Sequence, residues 1–170
     1  MTSSAVTPTV RTVSLRPLLH AAARTLFRGV VALPLAVAAV PMALLGAHGP
    51  AARAQTSLAG LPARRPARWR VLVHSVAVAL PALVSFVAAL LVGYLTYAGY
   101  LYFLRPDASF ALGHPFTPDE RFHNAWGGPT LVGAWFVHSC VALGMQLAAL
   151  GLIRGALAVQ GRATRRLLAA

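Results

Sequence analysis

The chain has 170 residues, is 58% hydrophobic and only 11% charged, and carries a formal net charge of +12 at pH 7. Soluble domains carry about 25% charged residues, so a water-soluble fold would have to expose long apolar runs that a bilayer would cover. All fifteen basic residues are Arg, and they bracket the apolar runs instead of lining a solvated face; this argues against nucleic acid as a partner and for the cytoplasmic excess that orients membrane proteins.

Residues 1–28 read as a cytoplasmic, basic amphipathic segment. Arg16, His20, Arg24 and Arg28 recur every fourth residue, while Leu15, Leu18, Leu19, Ala22 and Leu26 favour the other side. Such a helix suits an anionic surface, and Pro17 fits its first turn. A membrane domain then covers 29–170. Its first part, residues 29–47 ("GVVALPLAVAAVPMALLGA"), is barely long enough to span and is interrupted by Pro34 and Pro41. One crossing here would carry the four N-terminal Arg outside, so a short re-entrant or shallow hairpin is expected. A signal peptide cleaved near "ARA" at 52–54 is the rival reading, and it would leave Arg64, Arg65, Arg68 and Arg70 outside. Residues 48–70 form an Arg-rich cytoplasmic linker.

Residues 71–103 are uncharged and read as a transmembrane helix. Its 33 residues would reach roughly 50 Å, against roughly 30 Å of hydrocarbon, so the helix tilts, kinks at Pro81 or projects. Tyr94, Tyr97, Tyr100 and Tyr102 crowd its far end as interfacial anchors. The loop 104–128 holds only Arg105 and Arg121 but every acidic residue: Asp107, Asp119 and Glu120. A second transmembrane helix covers 129–153, 25 residues without a charge. Pro129 suits its first position, Gly127 and Gly128 allow a tight turn before it, and Trp126 and Trp135 lie near the interface. Residues 154–170 are a basic amphipathic extension carrying Arg154, Arg162, Arg165 and Arg166 beyond the membrane. Thirteen of the fifteen Arg fall in 1–28, 48–70 and 154–170, which places loop 104–128 outside the cell and both termini in the cytoplasm. The fold class is therefore an all-α integral membrane bundle with two transmembrane helices, one short membrane segment and amphipathic flanks.

Few residues carry chemistry. His138 sits inside the second span, where an ionisable group should face the bundle and find a partner; antiparallel pairing places it near Ser85 to Ala89, with Ser85 as hydrogen-bond mate. Proton sensing competes there with a neutral packing role. Gln146, the other mid-span polar group, suits interhelical hydrogen bonding. In the outer loop Asp119, Glu120 and His123 are candidate polar residues. Glu120 and His123 have the E-x-x-H spacing of di-iron bundles, but a chain with one Glu cannot complete that set. Zinc held by His114, Asp119 and His123 is conceivable, and ordinary solvated histidines are favoured. Cys140 reads as a small buried hydrophobe. Cys140, Gly144, Ala148, Gly151 and Gly155 form a stripe of small residues suited to close helix packing, with Ala89 and Gly93 as a matching pair. No nucleophile elbow, phosphate loop or H-E-x-x-H motif occurs, so no catalytic, cofactor or metal site is assigned and no enzyme activity is expected.

The pattern "AWGGPTLVGAWFVHS", followed by "LIRGALAVQGRATRRLL", resembles the end of the actinobacterial sensor membrane module often found N-terminal to histidine kinases. The stretch "VVALPLAVAAVPMALLGAHGPAARAQTSLAGLP", the arginines after it and Trp69 are similar to its first half, so the resemblance covers roughly 29–168. It implies two helical pairs joined by a basic linker, the first pair reduced here, and a sensing role. No kinase follows Ala170, so a signal would leave through a partner. The expected function is a non-catalytic module passing an envelope or membrane stimulus to a kinase, regulator or permease, or to a second copy. The alternative is an accessory subunit of a transporter or envelope complex.

Overall fold

A computed structural model describes residues 14–62 and 64–169, which form an all-α bundle with no strand among the described residues. Four helices make it: α1 (Leu15–Leu44), α2 (His48–Ala59), α3 (Arg68–Leu95) and α4 (Leu131–Leu168). A π-helical turn, Thr96–Tyr100, continues α3, and short 3-10 turns shape the loop that follows. Three helical stretches are long and apolar enough to cross a membrane: Leu15–Leu44, Arg68–Tyr100 and Leu131–Leu168.

Several boundaries differ from the sequence reading. The basic stretch ending at Arg28 and the apolar stretch after it are one helix, so no re-entrant hairpin forms within 29–44; residues 1–13 lie outside the described residues. Pro34 and Pro41, read as interruptions, sit inside a helix that continues past them, and Pro81 lies inside α3 as the reading of 71–103 had it. Apolar residues on both sides of each proline keep the helix packed or lipid-covered, an environment in which proline is tolerated. The linker 48–70 contains α2, ended by Gly60 at φ 70°, and Ala52 of the "ARA" stretch is fully buried. Pro129 is not the first helical residue: α4 begins at Leu131, and Thr130 caps it by accepting from the Gly133 N–H at 3.2 Å. Gly127, at φ 84°, makes the expected turn.

Residues 154–168, expected as a basic continuation of the second span, are the end of α4 and pack within the bundle: Leu168 is fully buried in a cluster with Val71, Ala39, Ala43, Ala51 and Ala52. Small alanines let four helices approach at this end. Further along, Ala88, Ala89 and Val92 of α3 meet Ala149 and Ile153 of α4. Gly29 of α1 wedges in beside them: a Cβ there would lie 3.1 Å from Ile153 Cγ2 and 3.2 Å from the Ser85 carbonyl oxygen. At the other end Tyr102, Ala108, Ala111, Phe122, Leu131 and Ala134 close the loop over the bundle as a small cap.

The π-helical turn is stitched to α4 by side chains. Gln146 donates to the Val92 carbonyl at 3.1 Å and to Thr96 Oγ1 at 3.0 Å, and accepts from Tyr100 Oη at 3.0 Å. Trp135 Nε1 donates to the Tyr100 carbonyl at 2.9 Å, and Ser139 Oγ to that of Gly99 at 3.3 Å. A π turn disturbs the ordinary helical ladder, and α4 supplies donors to its carbonyls. Of the tyrosines, Tyr94 and Tyr97 are exposed as anchors would be, while Tyr102 is buried in the cap.

Gly99 permits this approach, since a Cβ on it would lie 2.3 Å from Ala142 Cβ. Gly99→Ala is expected to destabilise the bundle by about 1–3 kcal/mol through overpacking, read as a lower thermal midpoint in detergent micelles. Gly144 has nothing within 4 Å of its would-be Cβ, so Gly144→Ala is expected to be neutral or to gain up to about 1 kcal/mol.

Candidate functional site

The sequence-derived candidates separate into three places. His138 belongs to the cap at the loop end of the bundle: its Nδ1 donates to the Ala134 carbonyl at 2.7 Å, and its ring centre lies 4.4 Å from that of Tyr102. It does not meet Ser85. Ser85 is fully buried, donates to the Ala82 carbonyl at 2.9 Å and accepts from Gln160 Nε2 at 3.4 Å. The expected pairing matched the spans 71–103 and 129–153 with each other; in the structure Val71 packs with Leu168 instead, and this register brings His138 to the turn at Gly99 to Tyr102. Gln146 does bridge the helices, as described above.

The outer-loop residues stay apart as a binding set. Glu120 and His123 are exposed. Asp119 pairs with Arg121 at 3.1 Å, and the Arg121 side-chain and backbone N–H donors hold its carboxyl below the usual carboxylate range. His114, Asp119 and His123 do not converge, and among the described residues no three His, Cys, Asp or Glu side chains do. Gly144, Ala148, Gly151 and Gly155 are exposed on α4, and Cys140 beside them is exposed instead of buried. Gly93, offered as their mate, likewise has nothing within 4 Å; the α3–α4 contact uses the neighbouring face through Ala149 and Ile153.

The site that sequence reasoning missed lies where all four helices meet. A cavity of about 620 Å³ is lined by Arg24 and Arg28 of α1, Gln55 and Leu58 of α2, His74 and Val78 of α3, and Arg154, Gln160, Arg162, Thr164 and Arg165 of α4. Arg28 is half-buried and the other four arginines are exposed. Arg28 is pinned by α2: its Nε donates to the Leu58 carbonyl at 2.7 Å, and its Nη2 donates to the same oxygen. No Asp or Glu side chain is among the described residues lining the cavity, and the three acidic residues all lie between 107 and 120. Among the described residues the ion pairs, Arg105–Asp107 and Arg121–Asp119, are confined to that loop.

A buried polar network forms one wall. The Thr164 hydroxyl donates to the Gln160 carbonyl at 2.8 Å, so at 2.9 Å it accepts from His74 Nε2. In neutral His74, Nδ1 is then a bare acceptor, and it has no partner in the chain. Gln55 Nε2 donates to Ser75 Oγ at 3.2 Å, while Gln55 Oε1 is also unpartnered. His74 and Gln55 are 2% and 6% exposed, so these acceptors cannot turn to water. The sequence did hold a signal. Ala149, Ile153, Ala156, Gln160, Thr164 and Leu168 fall at helical spacing and are all buried, a stripe whose polar members lie within what reads as a solvated tail.

Chemically, the arrangement offers guanidinium donors for an anion and apolar walls at Leu58, Val78 and Leu157. Thr164→Val leaves His74 Nε2–H without an acceptor and is expected to cost about 1–3 kcal/mol, seen as a lower unfolding midpoint in micelles, while Thr164→Ser keeps wild-type stability. Comparison of the chain with protein families, curated proteins and solved structures gives no match.

Proposed function

We propose that this protein is a non-catalytic, sensor-type membrane module whose cavity holds an anionic ligand at the cytoplasmic side of the bilayer. One observation carries the reading: five arginines drawn from α1 and α4 line one cavity, and no Asp or Glu is among the described residues that line it. Like charges held together raise the energy of the folded state, and an anion from outside the chain relieves it. The positive-inside rule assigns this cavity to the inner face. Uncharged residues 131–153 of α4 then rise from it through the hydrocarbon to the carboxylate-bearing loop, a stretch of 23 residues and roughly 34 Å. Arg24 and Arg28 line the same cavity as Arg154, Arg162 and Arg165, which supports reading these five together on one side of the bilayer.

Because α4 is one helix from the outer cap to the cavity, occupancy at one end and packing at the other bear on the same element. The exposed small stripe gives the route outward: a helix of a partner, whether kinase, regulator, permease or second copy, lies against Gly144, Gly151 and Gly155. An accessory subunit of a transporter or envelope complex would use the same stripe, and the identity of the co-purifying protein separates the two roles.

The direct experiment titrates purified protein in neutral-lipid nanodiscs with an anionic phospholipid. Arg154→Gln combined with Arg162→Gln is expected to weaken binding roughly 30-fold, taking about 1 kcal/mol per arginine, and wild-type binding should weaken as salt rises. Affinity unchanged by both the substitutions and salt contradicts the reading. Gly151→Leu with Gly155→Leu is expected to leave the thermal midpoint near wild type while reducing crosslinking to the partner in cells; unaltered crosslinking removes the stripe from the interface.

A further inference from the structure

The aliphatic part of the cavity lining narrows the ligand beyond "anion". This inference rests on the proposed cytoplasmic anion site and names its chemistry. Four of the five arginines, Arg24, Arg154, Arg162 and Arg165, are exposed, so they line the part of the cavity that water reaches. Ala32 and Ala36 of α1 and Val78 of α3 are 3%, 4% and 3% exposed and close the cavity from beneath. Leu35 of α1, Leu58 of α2 and Leu157 of α4 are half-buried, one leucine of the lining from each of three helices. The polar residues of the same lining, His74, Gln160 and Thr164, bond to one another and to Ser85, and at 9% exposure or less they present almost no polar surface.

Two chemistries therefore share one cavity. A small hydrated anion would answer the guanidinium groups and leave the leucines in water. The volume of about 620 Å³ is instead in the range of sites for whole small molecules. Taking aliphatic surface out of water stabilises a complex by an amount that grows with each methylene buried, and guanidinium groups match phosphate oxygens in a two-toothed geometry. We infer that the cavity binds an anionic amphiphile, with its head on Arg28, Arg154 and Arg162 and one aliphatic chain against Leu35, Leu58 and Leu157.

This chemistry has two sources, a bilayer phospholipid that lends one of its chains and a free single-chain molecule. The full chain in neutral-lipid nanodiscs is titrated calorimetrically with methyl phosphate and with butyl phosphate, and the heat of empty discs is subtracted. The two monoesters carry the same charge and differ only in aliphatic length. Butyl phosphate is expected to bind about 30-fold tighter, roughly threefold for each added methylene. Leu58→Asn is expected to cut that gain to tenfold or less while leaving the affinity for methyl phosphate unchanged, and Leu35→Asn to do the same. Phosphatidic acid added to the discs then assigns the source: displacement of butyl phosphate identifies a bilayer lipid, and undisturbed binding identifies a free amphiphile.

Equal affinity of the wild-type protein for the two esters overturns the inference whether or not a variant folds. If that equal binding is lost on Arg154→Gln with Arg162→Gln, the anion site stands and only the chain falls; no binding of either ester overturns both. A 30-fold gain that survives both leucine substitutions also overturns the placement of the chain.

Discussion

Positive charge without an internal counter-charge is the constraint around which this fold is arranged. The chain has fifteen Arg and three carboxylates, and the carboxylates are spent in a loop that pairs Arg105 with Asp107 and Arg121 with Asp119. At the opposite end, α1 and α4 bring five arginines to one cavity. Exposed guanidinium heads reduce the cost by keeping water contact while their stems cover apolar surface. Their mutual repulsion nevertheless favours an anion, and the proposed function follows from that imbalance more than from any single residue.

The register of α3 against α4 decides which groups meet. It is set where backbones come closest, at Gly99 beside Ala142, and held by Gln146, Trp135 and Ser139 on the π-helical turn. In a bilayer such bonds stand in for the hydrophobic transfer that organises soluble cores, since lipid is as apolar as leucine. From that anchor the antiparallel pair runs on until Thr164 reaches His74 and Leu168 reaches Val71. Moving α4 by one turn would separate the His74–Thr164 and Gln160–Ser85 pairs together. The cap and the cavity are thus two ends of one packing arrangement.

Much of the architecture was legible in the chain. The uncharged runs at 71–103 and 129–153 announced long apolar helices, and the Gly127 turn, the polar role of Gln146 and the isolation of the carboxylates in one loop could all be read from residue type and position. What could not be read was where each helix stops. Arg154 looks like the end of a span because charge leaves the hydrocarbon, but charge does not end a helix, and the buried stripe from Ala149 to Leu168 continues beneath the arginines. Taking the residues beyond Arg154 as a solvated extension left only 129–153 to pair with 71–103, which matched His138 with Ser85 and hid the cavity. In the same way Pro34 and Pro41 suggested an interrupted segment where α1 is continuous. Periodicity marks a face; only tertiary contact tells which partner that face has.

The measurement that bears most directly on this account is an experimental density map of the protein extracted from its own membrane into nanodiscs, without added phosphate. The account expects density for one anionic molecule in the cavity, in contact with Arg28 and Arg154. A cavity holding only water, with the arginine heads turned away from it, would contradict the claim that these charges are gathered to hold a ligand.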